Sequence, residues 1–397
     1  MSDAPESSRR HALATRLAHG GRVDEQGPFV NPPVIHASTV LFDSVAQMKG
    51  KAAVPAKFTY GRRGTPTSQA LEGLVAELEG ADGVVLTPSG ASACALALMA
   101  VVASGDHLLM IDSVYGPTRN ICDGVLKRFG VETTYFDPRI GGRIVDLVRP
   151  NTRAVFLEAP GSLTFEMCDV PAITRALAAL GQDAPLTLID NTWATPLLFR
   201  PLAHGIDVSI MAATKYLVGH SDALLGTVAA GPRAWGRVKA THGDLALFTG
   251  PDDMYLALRG ARTMAVRLAH QGRSALRIAE WLETCPEVSR VLHPGLPSHP
   301  DHAIWKRDFS GASGLFGVVL KAVSEDAVAA FLDGLELFGL GYSWGGFESL
   351  AIAADPRPVR SAVPWVAEGP LVRLQIGLED TDDLIADLAA GLNRLRG

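Results

Sequence analysis

Cysteine pairs are missing from this sequence of 397 residues, and their absence excludes two classes of protein. The four cysteines lie far apart and form no CxxC spacing: Cys94, Cys122, Cys168 and Cys285. Without paired spacing they indicate reduced thiols rather than a disulfide framework or a cysteine-bound metal. We therefore expect a cytoplasmic protein.

Long apolar runs and clusters of basic residues are missing as well. The longest apolar stretch, residues 93–103, reaches about half of the ~20 residues that a membrane-spanning helix needs. Residues 1–10 are polar and lack the apolar core of a signal peptide. The net charge is −6, and Lys and Arg form no dense run. We therefore expect neither a membrane nor a nucleic acid as a partner.

Two motifs resemble ligand sites but lack an essential feature. The glycine-rich segment 339–345 has one residue too many for a dinucleotide-binding loop and heads no βαβ unit. His293, His299 and His302 lie in a Pro-rich loop without a carboxylate or cysteine at ligand spacing. We expect a surface loop there and no metal site in the protein.

Short apolar runs alternate with helical spacing through the middle of the chain. The predicted strands cover residues 84–86, 107–111, 154–157, 186–189 and 208–210, and the predicted helices 68–79, 92–103, 117–129 and 170–180. Continuously apolar strands that alternate with helices predict an α/β domain, with a mostly parallel sheet and helices on both faces.

The two ends of the chain differ from this middle part. Residues 1–64 show little periodicity and are expected to form an irregular arm, which needs another surface to lie on. Past residue 262, predicted strands 314–320 and 371–376 and helices 262–282, 324–334 and 381–395 indicate a smaller α+β domain. The predicted division is thus an arm (1–64), an α/β domain (65–261) and a C-terminal domain (262–397).

A carboxylate and an amine each follow one of the predicted strands. Asp190 ends the run 186–189, and Lys215 follows the run 208–210. Carboxyl ends of parallel strands share one edge, where ligands bind, so the two side chains can face one crevice. Pyridoxal phosphate chemistry needs this pair, a lysine for the Schiff base and an acid beside the pyridine nitrogen. On pattern alone, a solvated lysine at the end of a loop is the favoured interpretation of Lys215.

Other residues could complete such a crevice. The turn after the run 84–86 leads into an apolar helix, and Gly90 and Ala91 would allow a phosphate to approach its N-terminus closely. Thr214 could add a hydroxyl. Arg373 lies inside an apolar strand and needs an anion, either a structural carboxylate or that of a substrate.

Six motifs together resemble the Cys/Met-metabolism family of pyridoxal-phosphate enzymes of fold type I. In chain order they are Tyr60-Gly-Arg-Arg-Gly-Thr65, Pro88-Ser-Gly-Ala91, Glu158-Ala-Pro-Gly-Ser162, Ile189-Asp-Asn-Thr-Trp-Ala194, Met211-Ala-Ala-Thr-Lys-Tyr-Leu-Val-Gly-His220 and Tyr342-Ser-Trp-Gly-Gly346. The resemblance covers nearly the whole chain. It implies the aspartate aminotransferase fold type I, with the cofactor in the α/β domain.

The resemblance also implies roles for the residues of the cofactor site. Lys215 forms the Schiff base with pyridoxal phosphate, and Asp190 pairs with the pyridinium nitrogen. Tyr115 stacks on the ring and is a candidate acceptor of the substrate's amine proton. The phosphate is held by the following groups: the amides of Gly90 and Ala91, the Thr214 hydroxyl and, from a neighbouring subunit's arm, Tyr60 and Arg62.

On the substrate side, the resemblance implies that Arg373 and Ser343 bind the α-carboxylate and that Trp344 lines the pocket. Arg63 is a candidate for the distal carboxylate. An arm shared between subunits implies at least a homodimer, and a homotetramer is expected.

Departures from the γ-acting members favour β-cleavage. Ala212 replaces a serine, Gly161 and Ser162 replace Asn-Pro, and a Tyr342-Ser-Trp344 segment replaces a smaller one. The implied reaction is cleavage of L-cystathionine to homocysteine, pyruvate and ammonia, a transsulfuration step of methionine biosynthesis. The alternatives are a γ-acting sibling (cystathionine γ-synthase or methionine γ-lyase), a broad cysteine-conjugate β-lyase, a non-catalytic regulator or a nicotinamide oxidoreductase.

Overall fold

The computed structural model describes residues 11–396, so the first ten residues of the predicted arm and Gly397 lie outside the described chain. The helices are α1 Leu13–His19, α2 Val45–Met48, α3 Pro66–Glu79, α4 Gly90–Met99, α5 Gly116–Ile121, α6 Val170–Ala178, α7 Thr195–Leu198, α8 Trp235–Asp244, α9 Pro251–Leu282, α10 His302–Asp308, α11 Glu325–Asp333 and α12 Thr381–Asn393. The strands are β1 Gly83–Thr87, β2 His107–Ile111, β3 Glu132–Phe136, β4 Thr152–Glu158, β5 Leu186–Asp190, β6 Val208–Met211, β7 Gly226–Ala230, β8 Val288–Leu292, β9 Leu315–Leu320, β10 Leu350–Ala354 and β11 Leu371–Gln375.

A seven-stranded sheet in the order β1-β7-β6-β5-β4-β2-β3 forms the centre of the molecule. The five strands from β6 to β3 run parallel, and β7 runs antiparallel to both of its neighbours. The predicted mostly parallel sheet is therefore confirmed. Strands β3 and β7 were not predicted, because β3 is largely polar and β7 consists mostly of small residues rather than a run of large apolar ones.

Helices cover both faces of this sheet, as predicted. Successive residues of β1 show the alternation: Val85 packs into the core that contains α4, whereas Val84 and Leu86 pack into the core that contains α3 and the first half of α9. Strands buried on both faces must be continuously apolar, which explains why these runs were recognisable in the sequence.

Local capping sets the bounds of the helix that leads into β1. Thr65 caps α3, its side chain accepting the Ser68 N–H while Ser68 bonds back to the Thr65 N–H. The helix ends where predicted, at Gly80, whose φ of 72° is left-handed.

A four-stranded antiparallel sheet, β10-β11-β9-β8, forms the second layer. The predicted strands 314–320 and 371–376 correspond to β9 and β11. Helix α9 packs its first half into the core of the large sheet and its second half into the core of the smaller one. The predicted division between residues 261 and 262 falls inside α9 and stays a prediction. Among the described residues, no helix is long and apolar enough to cross a membrane.

The prediction of a surface loop for the histidine cluster is wrong. His293 is fully buried and His299 is 5% exposed. The Nδ1 atoms of these two rings accept hydrogen bonds from the backbone N–H groups of Gly295 and Asp301. The rings thus serve the turn structure of the loop, a role that leaves no mark in residue spacing. Within residues 11–396, no group of three or more His, Cys, Asp or Glu side chains could hold a metal ion.

Candidate active site

Lys215 lies in the turn that follows β6. Its Nζ donates a hydrogen bond to Ser343 Oγ at 2.6 Å and lies 5.3 Å from the centre of the Trp344 ring. Ser343 is 128 residues further along the chain. The fold therefore brings the predicted Schiff-base lysine together with two of the predicted substrate-binding residues.

The loop that carries Ser343 has an unusual backbone. Ser343 has a φ of 85°, a left-handed value that costs a non-glycine residue free energy and is typical of functional sites. Gly345 has a φ of 82°, and a Cβ there would come within 3.0 Å of the Lys215 carbonyl carbon. Because of this close approach, the loop can lie against the lysine turn only with glycine at this position.

Arg373 reaches the same loop from β11. Its Nη2 donates to the Ser343 carbonyl oxygen at 2.9 Å. No carboxylate among residues 11–396 forms an ion pair with it. Burial lowers its pKa, but a guanidinium stays charged in proteins and retains further donors. The structural carboxylate that the sequence left open is not found among the described residues, and the role of Arg373 at a substrate carboxylate stays a prediction.

The surroundings of Lys215 lower the pKa of its amine. Burial and the nearby Arg373 charge lower the pKa of Lys215 to about 8, while Asp190 opposes that shift. A substantial fraction of the amine is therefore neutral near pH 8 and can act as a nucleophile or base.

Asp190 is fixed by two neighbours at the end of β5. Its Oδ1 accepts hydrogen bonds from the Thr192 N–H at 2.9 Å and the Thr192 hydroxyl at 2.5 Å. The Cys94 thiol, on α4, donates to Oδ2 across 3.7 Å. Burial raises the pKa of Asp190, against the lowering effect of Thr192, Cys94 and Lys215. A cationic ligand group next to this carboxylate would favour its ionised form.

A second carboxyl group lies beside Asp190. Glu158 ends β4 and pairs in register with Asp190. Its Oε2 accepts the backbone N–H of Tyr115 at 2.7 Å, which fixes the start of the turn carrying that ring. Burial and the Asp190 charge hold the pKa of Glu158 well above its ordinary value. Burial, Asp190 and Glu158 also raise the pKa of Tyr115, so its phenolate is disfavoured at neutral pH.

The predicted phosphate turn lies next to the lysine segment. Ser89 and Ser92 cap α4 reciprocally, and the first intrahelical bond runs from the Ala93 N–H to the Ser89 carbonyl. The N–H groups of Gly90 and Ala91 precede that bond and so have no intrahelical acceptor. A Cβ on Gly90 would lie 2.3 Å from the Ala212 Cβ. Glycine thus allows the helix N-terminus to pack against the segment that ends in Lys215.

Two of the remaining predicted cofactor residues, Thr214 and Arg62, have other hydrogen-bond partners in the described chain. The Thr214 hydroxyl exchanges two hydrogen bonds with the backbone of Leu225, at 3.1 and 3.2 Å. Arg62 donates to the Gly243 carbonyl at 3.4 Å, and Tyr60 is 44% exposed. Within residues 11–396, no hydrogen bond or ion pair joins Tyr60, Arg62 or Arg63 to Lys215. The roles assigned to these residues stay predictions.

Three contacts of the site were missed in the sequence analysis. Thr192 and Glu158 lie in quoted motifs but received no role, although Glu158 follows the same end-of-strand pattern that identified Asp190. Cys94 gave no signal, because its approach to Asp190 depends on how α4 packs on the sheet.

Comparison with known proteins gives matches over nearly the whole chain. The sequence profile of the Cys/Met metabolism PLP-dependent enzymes matches residues 14–393. The cystathionine β-lyase of Escherichia coli K12 is 46% identical over 96% of this chain and 98% of that protein, and the cystathionine β-lyase of Salmonella typhimurium is 44% identical over the same shares. The crystal structure of a cystathionine γ-synthase from Xanthomonas oryzae pv. oryzae matches with a TM-score of 0.87 and 32% identity, covering 97% of this chain and 99% of that one.

The arrangement fits a pyridoxal phosphate molecule on chemical grounds. A buried amine of lowered pKa, a carboxylate at a neighbouring strand end and a helix N-terminus with unpaired N–H groups all lie at one edge of the sheet. The predicted cofactor is confirmed by the family match over residues 14–393. The chain belongs to the Cys/Met-metabolism family of pyridoxal-phosphate-dependent enzymes.

Proposed function

We propose that this enzyme cleaves the Cβ–S bond of L-cystathionine, consumes one water in the hydrolysis that follows, and releases homocysteine, pyruvate and ammonia. The observation that carries the proposal is the convergence of Lys215 and Arg373 on Ser343. A general base and a carboxylate-binding group are thereby held side by side, as an α-amino acid substrate requires.

The chain's own groups divide the chemistry between them. Pyridoxal phosphate, when bound, supplies an aldehyde for the substrate amine and an electron sink for the α-carbon. Lys215 removes the α-proton and returns a proton to the leaving thiolate. Asp190, oriented by Thr192, holds a proton at the pyridine nitrogen. Arg373 orients the α-carboxylate.

Tyr115 contributes by position rather than by charge in this proposal. Its backbone is fixed by Glu158, and its phenol has a raised pKa. Stacking on the cofactor therefore suits the residue better than accepting a proton from the substrate amine.

Both sequence and local structure support β-cleavage over γ-cleavage. Identity is 46% and 44% to the two β-lyases but 32% to the γ-synthase. In addition, the Ser162 N–H donates to the Ser113 carbonyl at 2.7 Å, two residues before Tyr115. Proline, which the γ-acting members carry after the corresponding turn, has no N–H and could not form this bond.

Product analysis tests the proposal directly. Purified holoenzyme incubated with L-cystathionine should yield pyruvate and homocysteine in equal amounts, because both come from one Cβ–S cleavage. Mass spectrometry of the keto acid and the thiol provides the measurement. If 2-oxobutyrate and cysteine form instead, the enzyme is γ-acting. Faster pyruvate release from cystine or a cysteine conjugate than from cystathionine would favour the broader β-lyase.

We further propose that the arm covers a second copy of the chain and completes its active site, in a homotetramer located in the cytoplasm. Large apolar side chains of the arm are strongly exposed in the single chain: Phe29 73%, Val30 71%, Leu41 88%, Val45 62% and Val54 74%. Exposed apolar surface on this scale is typical of an interface. On this proposal, Tyr60 and Arg62 bind the neighbour's cofactor phosphate, and Arg63 the distal carboxylate of its substrate.

Subunit complementation tests the sharing of sites. Lys215→Ala and Arg62→Ala should each be nearly inactive, the second through weak cofactor binding. Mixed dimers formed by co-refolding should regain about a quarter of wild-type activity, because half of the dimers are hybrids with one intact site in two. No recovery would place Arg62 in its own subunit's site.

A substitution of Arg63 provides the matched comparison for Arg62→Ala. Arg63→Ala should raise KM for cystathionine and leave cofactor affinity unchanged, since Arg63 is assigned to the distal carboxylate alone. An unchanged KM would remove that assignment without affecting the result for Arg62.

A further inference from the structure

A buried network of charged side chains lies behind the Tyr115 turn. Asp112 follows β2 directly, three residues before Tyr115, and is fully buried. Arg119 and Arg360 both form ion pairs with it, at 2.6 and 3.0 Å. None of the six family motifs includes Asp112 or Arg360.

Asp112 is saturated with hydrogen bonds from two distant parts of the chain. Oδ1 accepts from Arg119 Nη2 (2.6 Å), the Ser361 N–H (2.9 Å) and the Ser361 hydroxyl (3.1 Å), and Oδ2 accepts from Arg360 Nε (3.0 Å) and the Val363 N–H (2.9 Å). Burial alone would raise the pKa of Asp112, but the hydrogen bonds from the segment 360–363 lower it to about 2. The side chain is therefore ionised throughout the neutral range.

Arg360 extends the network to a third element. Its side chain is 2% exposed, and its Nη1 donates to Glu166 at 2.8 Å and to Thr164 at 3.0 Å. A buried guanidinium satisfied by two carboxylates is costly to disturb, because removing one partner leaves a buried charge unpaired. The segment 360–363 is thus held firmly on the large domain.

The network connects two halves of the site. On one side, Asp112 starts the turn that ends in Tyr115. On the other side, the segment 360–363 belongs to the connection between β10 and β11, and β11 carries Arg373. That connection joins the smaller sheet to the large domain through these contacts.

We propose that Asp112 is a positioning residue that sets the Tyr115 turn and, through Arg360, the placement of β11 with its substrate-binding Arg373. The inference rests on the proposed function for the assignment of Arg373 to the substrate carboxylate. Asp112 touches neither of these side chains and acts through the backbone of both segments.

The test compares substitutions at the two ends of the ion pair. Asp112→Asn keeps the shape of the side chain and removes its charge. We expect KM for cystathionine to rise about tenfold, the scale of one weakened charge-assisted hydrogen bond, with kcat changed less than about threefold. The affinity of the apoprotein for pyridoxal phosphate should also fall several-fold. Arg360→Gln should raise KM similarly but spare cofactor affinity, because Arg119 still holds the turn.

Asp207→Asn is the matched control. Asp207 is also a buried carboxylate paired with an arginine, Arg233, at 3.0 Å, and it accepts a hydrogen bond from the Thr187 N–H. It precedes β6 and so lies at the sheet edge opposite Lys215. This variant should lose stability in thermal unfolding but keep KM and cofactor affinity.

Other outcomes overturn the inference. An Asp112→Asn enzyme that loses stability like the control but keeps KM and cofactor affinity would show a purely structural role. If Asp112→Asn does not fold, Arg360→Gln decides, and an unchanged KM overturns the proposal. Failure of the proposed function is distinguishable, because wild-type enzyme would then not cleave cystathionine, while the cofactor titration of Asp112→Asn still reports on the Tyr115 turn.

Discussion

Lys215→Ala is expected to reduce cystathionine cleavage by at least about 10³-fold, because on the proposed function the variant loses both its covalent anchor for the cofactor and its general base. Purified protein should also lose the visible absorbance of the lysine-bound cofactor. Keto acid production and the absorbance spectrum provide the two measurements. Lys306→Ala, which removes an exposed lysine on α10, is the control and should retain both.

The same lysine gives the apoprotein a defined pH response. Only the neutral amine reacts with an aldehyde, and burial together with Arg373 lowers the pKa of Lys215 to about 8. Cofactor uptake by wild-type apoprotein should therefore accelerate as the pH rises towards about 8 and level off above it. Uptake that continues to accelerate up to the ordinary lysine pKa would contradict the environment described for Lys215.

Asp190→Asn should lower kcat by about 10²- to 10³-fold, the next largest effect. On the proposed function, Asp190 lies beside the pyridine nitrogen of the cofactor. An amide there cannot stabilise a positive charge on that nitrogen, so the cofactor would be a weaker electron sink, whereas the shape of the site is kept. Steady-state kinetics with cystathionine measure the loss, and KM should change much less than kcat.

A substitution of Thr192, which orients Asp190, should cause a smaller loss of kcat than Asp190→Asn. Thr192→Val removes the hydroxyl that donates to Asp190 at 2.5 Å and keeps the backbone N–H bond. The kcat of Thr192→Val should lie between the kcat of the wild type and that of Asp190→Asn. A loss of activity as large as that of Asp190→Asn would mean that Thr192 has a role beyond orienting the carboxylate.

Glu158 places a second buried carboxyl group beside Asp190 at this edge of the large sheet. Two carboxyl groups lie in register on β4 and β5, and burial raises the pKa of each. Like charges this close disfavour double ionisation. Because the Cys94 and Thr192 donors are directed at Asp190, Asp190 is the better placed of the two to carry the negative charge, and Glu158 serves the Tyr115 backbone.

The sequence by itself determined most of the parallel strands of the large sheet, the family and the cofactor of this protein. Strands buried on both faces must be apolar throughout, so the runs that became β2, β4, β5 and β6 were visible without a structure. Lys215 and Asp190 were recognisable because each follows such a run, and the six motifs then identified the family.

Only the tertiary structure decided which groups meet at the site. Ser343 reaches Lys215 across 128 residues, Cys94 approaches Asp190 through helix packing, and Arg360 pairs with a carboxylate 248 residues away. Periodicity reports which face of an element is buried, but it carries no information about the partner of a polar side chain. Those partners depend on how α4 and the smaller sheet pack against the large one, which is why the roles of Asp112 and Cys94 emerged only from the folded chain.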